Sequence, residues 1–156
     1  MHRSDSSPLV FKCPPWFQQS VVGLFFLGLG VLASAQTVLI TEEEAKFPNA
    51  QVLSTRAITR GPAIKLVTPT EVPAKSFAMK VDLEARGGAK IDPSSLKVEY
   101  LKQPAVDLTA RFRPGLQGNH IELHQARVPE GQHAIKVSIK DSEGREGAHI
   151  IQLLAK

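Results

Sequence analysis

Hydrophobic and polar residues alternate most regularly near the carboxyl end of the chain. Residues that would share one face of an extended segment are His133, Ile135, Val137 and Ile139, and Ala134, Lys136, Ser138 and Lys140 lie between them. A period of two predicts a strand with one buried and one solvated face. Asp141 to Gly144 favours a turn, after which the apolar run Ala148 to Leu154 returns beside the strand. The pattern predicts a β-hairpin, which needs further strands to cover its apolar face.

The same alternation marks further strands upstream. The clearest lies at 77–84, where the apolar positions are Phe77, Met79, Val81 and Leu83. Other strands are predicted at 63–67, 96–101 and 120–123, with a short edge strand at 106–109 that 111–113 continues. Residues 92–95, Asp-Pro-Ser-Ser, resemble the start of a helix and predict one helical turn. About seven strands, with turn signals roughly every 8–12 residues, predict an all-β fold in the form of an antiparallel sandwich.

A different pattern precedes these strands, in residues 36–61. Thr41 and Glu44 have the spacing of a capping box, which predicts a short helix over 42–46. The rest of this segment has no core-forming pattern, so a solvated tether with a nascent helical turn is the alternative interpretation. The composition changes at Gly61-Pro62. We therefore expect an N-terminal arm at 36–61, partly helical or flexible, and a β-domain at 62–156.

Residues 1–35 have the organisation of a secretory signal peptide. Arg3 and Lys12 precede an apolar run at 21–32, and Ala-Ser-Ala follows it at 33–35. The run is shorter than the roughly 20 apolar residues that a membrane-spanning helix needs. We expect cleavage near Ala35 and a periplasmic or secreted product without a membrane span. An uncleaved anchor is the alternative.

Composition and charge narrow the classes of function. The single cysteine, Cys13, lies in the leader, so the exported product is expected to hold together by packing, without disulfides. The chain has 19 Lys and Arg against 15 Asp and Glu, and these charges are interspersed along the sequence. We do not expect a nucleic acid partner, because nucleic acid binding usually concentrates basic residues in a patch.

Histidines are the candidate metal ligands after the leader. They are His120, His124, His133 and His149. On a straight strand, His120 and His124 would lie about 13 Å apart. Zinc ligands lie about 2 Å from the ion, so this pair cannot hold the metal alone.

The predicted hairpin keeps the other two histidines apart. A turn near residue 143 would place His149 opposite Val137 or Ser138. His133 would then lie near residues 153–154, toward the far end of the hairpin. We therefore expect no metal site and no cofactor.

Sequence signatures of catalysis and of sugar binding are also weak. The chain has no G-x-S-x-G and no H-E-x-x-H motif. Asp82 and Glu84 share a strand face, but carboxylates are common on a solvated face and imply no cleft. Sugar-binding sites usually need exposed aromatic rings, and the aromatic residues after the leader are few: Phe47, Phe77, Tyr100 and Phe112. We do not expect an enzyme.

Several segments of the predicted β-domain resemble a known family. The sequence PEGQH at 129–133 leads into a strand that ends in DSEGR at 141–145, and this resembles the final hairpin of bacterial immunoglobulin-like (Ig-like) domains. Segments 61–64, 91–100 and 106–109 also resemble small exported Ig-like proteins of proteobacteria with no assigned activity. The resemblance covers residues 61–156 and implies an immunoglobulin-like β-sandwich. The cysteine pair and core tryptophan of antibody domains are missing.

Two side chains have an expected role in this fold. His133 stands at the entry of the penultimate strand, where Ig domains often place a corner tyrosine. A ring atom of His133 is therefore expected to bond the backbone of the preceding loop. Tyr100 is expected in the core at a strand end, with its hydroxyl group reaching the rim.

The expected function is that of a non-catalytic exported accessory protein, which binds an envelope protein or has a structural role. Candidate binding surfaces are an exposed sheet edge and the cationic residues Arg111, Arg113 and Arg127. The arginines have alternative interpretations, as a solvated face or as contacts with acidic polymers or lipid head groups. The arm, with Phe47 as a candidate contact, is expected to dock on a partner or on the β-domain. The alternative function is an envelope enzyme or metal-handling protein with a site built from loops.

Overall fold

A computed structural model of the protein describes residues 36–51 and 60–156, which belong to one compact unit. The predicted signal peptide lies outside the described residues. The strands are β1 (Thr37–Val38), β2 (Ala63–Leu66), β3 (Glu71–Val72), β4 (Phe77–Glu84), β5 (Ile91–Tyr100), β6 (Val106–Asp107), β7 (Leu116–Gln117), β8 (His120–Arg127), β9 (Gly131–Asp141) and β10 (Glu146–Ala155). The helices are α1 (Glu42–Ala45) and α2 (Thr109–Phe112), the second followed by a 3-10 turn at Arg113–Gly115. The all-β prediction is confirmed.

The strands form two five-stranded sheets. Sheet 1 has the order β1-β8-β4-β2, with β7 also paired to β8, and sheet 2 has the order β3-β10-β9-β5-β6. Most pairs are antiparallel, but β1 runs parallel to β8 and β3 runs parallel to β10. The prediction of purely antiparallel sheets is therefore wrong at these two edges. Both parallel strands are two residues long, too short for an alternating pattern to predict them.

One hydrophobic cluster receives side chains from both sheets. The predicted apolar faces of β4, β5, β8 and β9 all point into it, and their buried residues are Phe77, Met79, Val81, Leu83, Leu96, Val98, Tyr100, Ile121, Leu123, His133, Ile135, Val137 and Ile139. Burying one large apolar side chain contributes about 1.5–3 kcal/mol, so this cluster is the main source of stability. Leu39 and Ile40 of the arm and Phe112 of α2 are buried in the same cluster, so the described part of the arm packs against the β-strands.

The predicted C-terminal hairpin is confirmed, including its register. His149 pairs with Val137, and Leu153 pairs with His133. The turn is held by the buried carboxylate of Asp141, which accepts hydrogen bonds from the backbone of Glu143 and from the backbone and side chain of Arg145. Burial opposes ionisation of Asp141, but these hydrogen bonds outweigh it and hold the pKa of Asp141 below its ordinary value.

Two local predictions are wrong. Residues 92–95 are not a helical turn but part of β5, where a bulge shifts the register against β9. Asp92 still accepts a bond from the backbone of Ser94, as a helix cap would, but Lys140 of β9 donates its backbone N–H to Ser95 and keeps the chain in the sheet. Residues 111–113 do not continue the edge strand β6. The chain turns into α2 there, which buries Phe112.

The capping box of the arm is confirmed. Thr41 accepts a hydrogen bond from the backbone of Glu44, and Glu44 accepts one from the backbone of Thr41, at 3.3 and 2.8 Å. These bonds satisfy free N–H groups at the start of α1, which the structure places at 42–45 where the sequence predicted 42–46.

A close backbone crossing joins the edges of the two sheets. A side chain at Gly147 of β10 would overlap the backbone oxygen of Pro62, and one at Gly61 would overlap the backbone oxygen of Glu146. Only glycine permits this approach. The crossing brings the start of β2 in sheet 1 against the start of β10 in sheet 2.

Across residues 36–51 and 60–156, none of the helices has the length and apolar character needed to cross a membrane.

Candidate functional site

The three arginines predicted to bind a partner lie on different elements. Arg111 is in α2, Arg113 is in the 3-10 turn that follows, and Arg127 is the last residue of β8. Their surroundings differ, because Arg111 makes ion-pair and hydrogen-bond contacts to the arm while Arg113 and Arg127 are exposed. The structure therefore separates the arginines into one internal contact and two surface cations.

Arg111 holds the arm through a two-point ion pair with Glu44. Both guanidinium-to-carboxylate distances are 2.7 Å, and Arg111 Nη1 also donates to the backbone oxygen of Leu39 at 2.8 Å. The side chains of Arg111 and Glu44 are 31% and 16% exposed, so water screens the pair only in part. The hydrogen bonds from Arg111 lower the pKa of Glu44 to about 2, and the carboxylate in turn raises the pKa of Arg111.

Lys102 makes a second cationic contact to the arm. Its ammonium group donates to the backbone oxygen of Ala45 at 2.9 Å and to the side-chain oxygen of Asn49 at 2.7 Å. It also lies 5.2 Å from the centre of the Tyr100 ring, within the range of a cation–π contact. Sequence reasoning missed this residue, because a lysine just after a strand looks like an ordinary surface residue. Arg111 and Lys102 together fix residues 39–49 against the β-strands.

His133 fixes the corner between β8 and β9, as predicted. Its Nε2 lies 2.8 Å from the backbone oxygen of Pro129, and its Nδ1 lies 2.8 Å from the hydroxyl group of Tyr100. A carbonyl oxygen only accepts, so Nε2 carries the proton and Nδ1 accepts from Tyr100. Tyr100 is in the core as predicted, but the prediction that its hydroxyl group reaches the rim is wrong, because the residue is fully buried and the hydroxyl group bonds His133 inside.

Burial sets the protonation of both rings. It lowers the pKa of His133, even though the bond to Pro129 favours the charged form, and the charge of nearby Lys102 lowers it further. Burial, together with the negative charge of Glu44, raises the pKa of Tyr100 to about 12. Both rings are therefore neutral at physiological pH, which suits a fixed structural contact.

A groove lies between the arm and this corner, and we call it the arm groove. Residues of the arm form one wall: Val38, Ile40, Thr41 and Glu42. The other wall is formed by Ala74, Lys75 and residues 127–130. The volume of the groove is about 510 Å³, within the range of about 300–1,000 Å³ typical of ligand sites. Of the three predicted arginines, Arg127 is the one that lines it.

The chemistry of the arm groove is mixed. Val38 is 44% exposed, and with the half-buried Pro129 it gives the groove an apolar surface. Lys75 and Arg127 supply positive charge, and Glu42 and Glu130 supply negative charge. Such a surface can take an apolar side chain and pair with charges of either sign around it. Apart from Arg127, sequence reasoning missed these residues, since they come from three segments far apart in the chain.

The other candidate contacts lie elsewhere. Arg113 borders an open depression with Asp107, Thr109, Ala110 and Pro114. Phe47 is 37% exposed, just after α1.

The histidines do not assemble into a metal centre in the described part of the chain. His120 and His124 flank Glu122 on β8, with nitrogen-to-oxygen distances of 3.9 and 3.7 Å. No group of three or more His, Cys, Asp or Glu residues is arranged there to hold an ion.

Comparison of the chain with protein-family models, with curated proteins and with solved structures gives no significant match.

Proposed function

We propose that this protein is a non-catalytic accessory protein, exported to the cell envelope, that binds another envelope protein through the arm groove. The observation that carries the proposal is a groove whose two walls are held by internal contacts while Val38 on its surface is 44% exposed. An exposed apolar surface rimmed by charges is typical of a protein-binding site.

Rigid walls favour binding, because ordering flexible segments on association lowers affinity. The arm wall is held by Arg111 through Glu44 and the backbone of Leu39. The corner wall is held by His133 through the backbone of Pro129. The walls are also joined directly, since Leu39 donates its backbone N–H to the backbone oxygen of Arg127 at 2.9 Å. Arg111 thus supports the site from within, and Arg127 is placed to touch the partner.

The order of the strands supports an Ig-like sandwich as the scaffold. Immunoglobulin domains place strands A, B, E and D in one sheet and strands C, F and G in the other. Here β2, β4 and β8 are neighbours in sheet 1, and β5, β9 and β10 are neighbours in sheet 2. Assigning β2, β4, β5, β8, β9 and β10 to A, B, C, E, F and G matches that arrangement. The bond from His133 to Pro129 then lies at the E–F corner, where the tyrosine of Ig domains bonds the backbone upstream.

Export is supported by the leader at residues 1–35, with its positive flank, short apolar run and small residues before the expected cleavage point. Mass spectrometry of the protein purified from its native host tests this part. The expected product begins at Gln36, and a chain that retains residues 21–32 in the membrane fraction would contradict it.

Site-specific photocrosslinking in living cells tests the binding site. A photoreactive residue is placed at Val38 or at Lys75, on opposite walls of the arm groove. The matched control is Lys97, an exposed residue on the outer face of sheet 2. The expected result is one envelope protein attached at Val38 and Lys75 and not at Lys97, with less of the adduct when Arg127→Glu is added.

Two outcomes would contradict the proposal. Equal attachment at all three positions would mean that the groove has no special role. Attachment of lipid or of an acidic polymer at Val38 and Lys75 would contradict a protein partner. It would mean that the basic side chains of Arg127 and Lys75 bind an acidic ligand instead.

A further inference from the structure

Gln36 is the residue that follows the Ala-Ser-Ala sequence at the end of the leader. Its role at this place rests on the proposed function, because it becomes the first residue of the chain only when cleavage after Ala35 removes the leader. Cleavage would give Gln36 a free α-amino group beside its own side-chain amide. The amide carbon of a glutamine is placed so that bonding to the α-amino nitrogen of the same residue closes an unstrained five-membered ring.

The structure makes Gln36 accessible for this reaction. The residue is exposed and lies directly before β1. The chain is held against β8 from the next residue onward, since Thr37 pairs with Ala126 and Val38 pairs with Arg127. Closing the ring rotates only bonds within Gln36, so it leaves this pairing intact. The exposed position lets the side chain turn back onto the α-amino group.

We propose that Gln36 of the exported chain cyclises to pyroglutamate. The uncharged α-amino nitrogen attacks the amide carbon of the side chain, and the new carbon–nitrogen bond closes the ring. The bond from that carbon to the side-chain nitrogen breaks, and this nitrogen leaves as ammonia with the proton that the α-amino nitrogen gives up. The reaction is a transfer of one acyl group between two nitrogen atoms, so it needs no oxidant, cofactor or second substrate.

Two chemical properties favour the cyclisation. Both reacting groups belong to one residue, so the reaction is intramolecular and no second molecule has to be brought into position. The ordinary pKa of an α-amino group is close to neutral, so part of the group is the uncharged nucleophile under physiological conditions. The ammonia that leaves is diluted into the solvent, which makes reopening of the ring by ammonia negligible.

Cyclisation removes a positive charge from the start of the arm. Val38, which is 44% exposed on the arm groove, lies two residues beyond Gln36, about 7 Å along an extended chain. The charged residues that line the groove are balanced, with two basic and two acidic side chains: Lys75, Arg127, Glu42 and Glu130. A free α-ammonium group would add a third positive charge close to this surface, whereas the neutral ring keeps the balance.

Cyclisation also protects β1 from trimming. Aminopeptidases act on a free α-amino group, which the ring replaces by an amide. Strand β1 consists of Thr37 and Val38, so loss of Gln36 and the two residues after it would delete the whole strand. Val38 would then be missing from its wall of the arm groove. The ring thus preserves the surface that the proposed function depends on.

Mass spectrometry of the intact protein from its native host tests the modification. The expected mass is that of residues 36–156 less one molecule of ammonia, and fragmentation should assign the loss to Gln36. N-terminal sequencing of the same protein should be blocked. Treatment of its N-terminal peptide with a pyroglutamyl peptidase should remove the ring and allow sequencing to start at Thr37.

Gln36→Asn is the matched control. Its side chain also ends in an amide but is one carbon shorter, so closure would need a strained four-membered ring. This variant should keep its full mass and remain open to N-terminal sequencing. An equal loss of ammonia from it would overturn the proposal, because the loss would then come from another residue.

The same measurements separate failure of the modification from failure of export. A chain that begins with an unmodified Gln36, or at a different residue after the apolar run, would overturn the pyroglutamate and leave export intact. A chain that retains the leader would contradict export, and the pyroglutamate with it.

Discussion

Arg111 and Glu44 join two segments that lie 67 residues apart in the sequence. The guanidinium group meets the carboxylate at two points, each 2.7 Å long, and both side chains are partly shielded from water. Glu44 also accepts the backbone N–H of Thr41, so one carboxylate both caps α1 and holds it to α2. Residues 39–49 of the arm are thereby held in the folded unit, and two of the predictions about stability depend on this contact.

Glu44→Gln separates the two roles of this carboxylate. Glutamine still provides an oxygen for the capping box but cannot pair with the charge of Arg111. We expect a loss of about 1–3 kcal/mol in the free energy of unfolding, typical of a charge-assisted hydrogen bond, measured by urea denaturation at neutral pH. The control is Glu84→Gln, which removes the ion pair of Lys65 with Glu84, whose side chains are 60% and 55% exposed, and should change stability by less than about 1 kcal/mol. Equal losses in the two variants would show that the contact of Glu44 with Arg111 is not special.

The same pair predicts how stability responds to acid. The pKa of Glu44 falls from 4.5 to about 2 on folding, so the unfolded chain takes up the proton first as the pH drops. The contribution of Glu44 is complete above pH 4.5 and disappears as the pH approaches 2. It amounts to about 1–2 kcal/mol once solvent screening is allowed for. Urea denaturation at a series of pH values should give a shallower acid loss for Glu44→Gln than for the unmodified protein, and parallel curves would contradict the assignment.

Tyr100→Phe removes the donor that His133 Nδ1 uses. The ring of His133 is buried, so its acceptor would be left without a partner. We expect a loss of about 1–3 kcal/mol in the free energy of unfolding. The control is Ser94→Ala, which removes a hydroxyl group bonded to Asp92 at the surface and should have a smaller effect. A loss no larger than that of the control would mean that the contact of Tyr100 with His133 adds nothing to stability.

The protonation of His133 is a separate prediction. Because burial lowers its pKa below 6.5, the unfolded chain binds a proton at this site before the folded chain does, and stability declines as the pH falls below 6.5. Nitrogen-15 NMR of the imidazole rings should show one histidine with the proton on Nε2 that stays neutral below pH 6.5. Loss of that signal in His133→Gln assigns it. A His133 pKa at or above the ordinary value of 6.5, or a neutral ring protonated on Nδ1, would contradict the burial and the hydrogen bonds derived for it.

Gly147→Ala tests the crossing between the sheet edges. The added methyl group would overlap the backbone oxygen of Pro62, and backbone cannot move aside as a flexible side chain can. We expect a loss of about 1–3 kcal/mol in thermal or urea unfolding, as in other overpacked sites. Glu146→Ala, the exposed neighbour on β10, should change stability by less than about 0.5 kcal/mol. An unchanged stability of Gly147→Ala would mean that the two segments do not approach so closely.

Local alternation along the chain was enough to predict which faces of the main strands are buried. The alternation in β4 and β9 predicted Met79, Val81, Ile135 and Val137 as core residues, and the turn at 141–144 fixed the hairpin register that the structure shows. These properties are local, because a period of two follows from the geometry of a single strand and a tight turn sets the offset of its two neighbours. The capping box of α1 was predictable for the same reason, whereas the bond from His133 to the preceding loop was expected from the resemblance to Ig-like domains.

Contacts between residues that are distant in the sequence became known from the folded structure. Three features depend on partners that a local pattern does not identify. The chain passes from β2 in sheet 1 to β3 in sheet 2, and Arg111 and Lys102 bind residues of the arm. The walls of the arm groove also come from segments distant in the sequence. Residues 92–95 show the same limit, since helix-start chemistry gave way to pairing with β9. A local pattern reports whether a side chain is buried, but its partner is set by how the sheets pack, and that is a property of the whole chain.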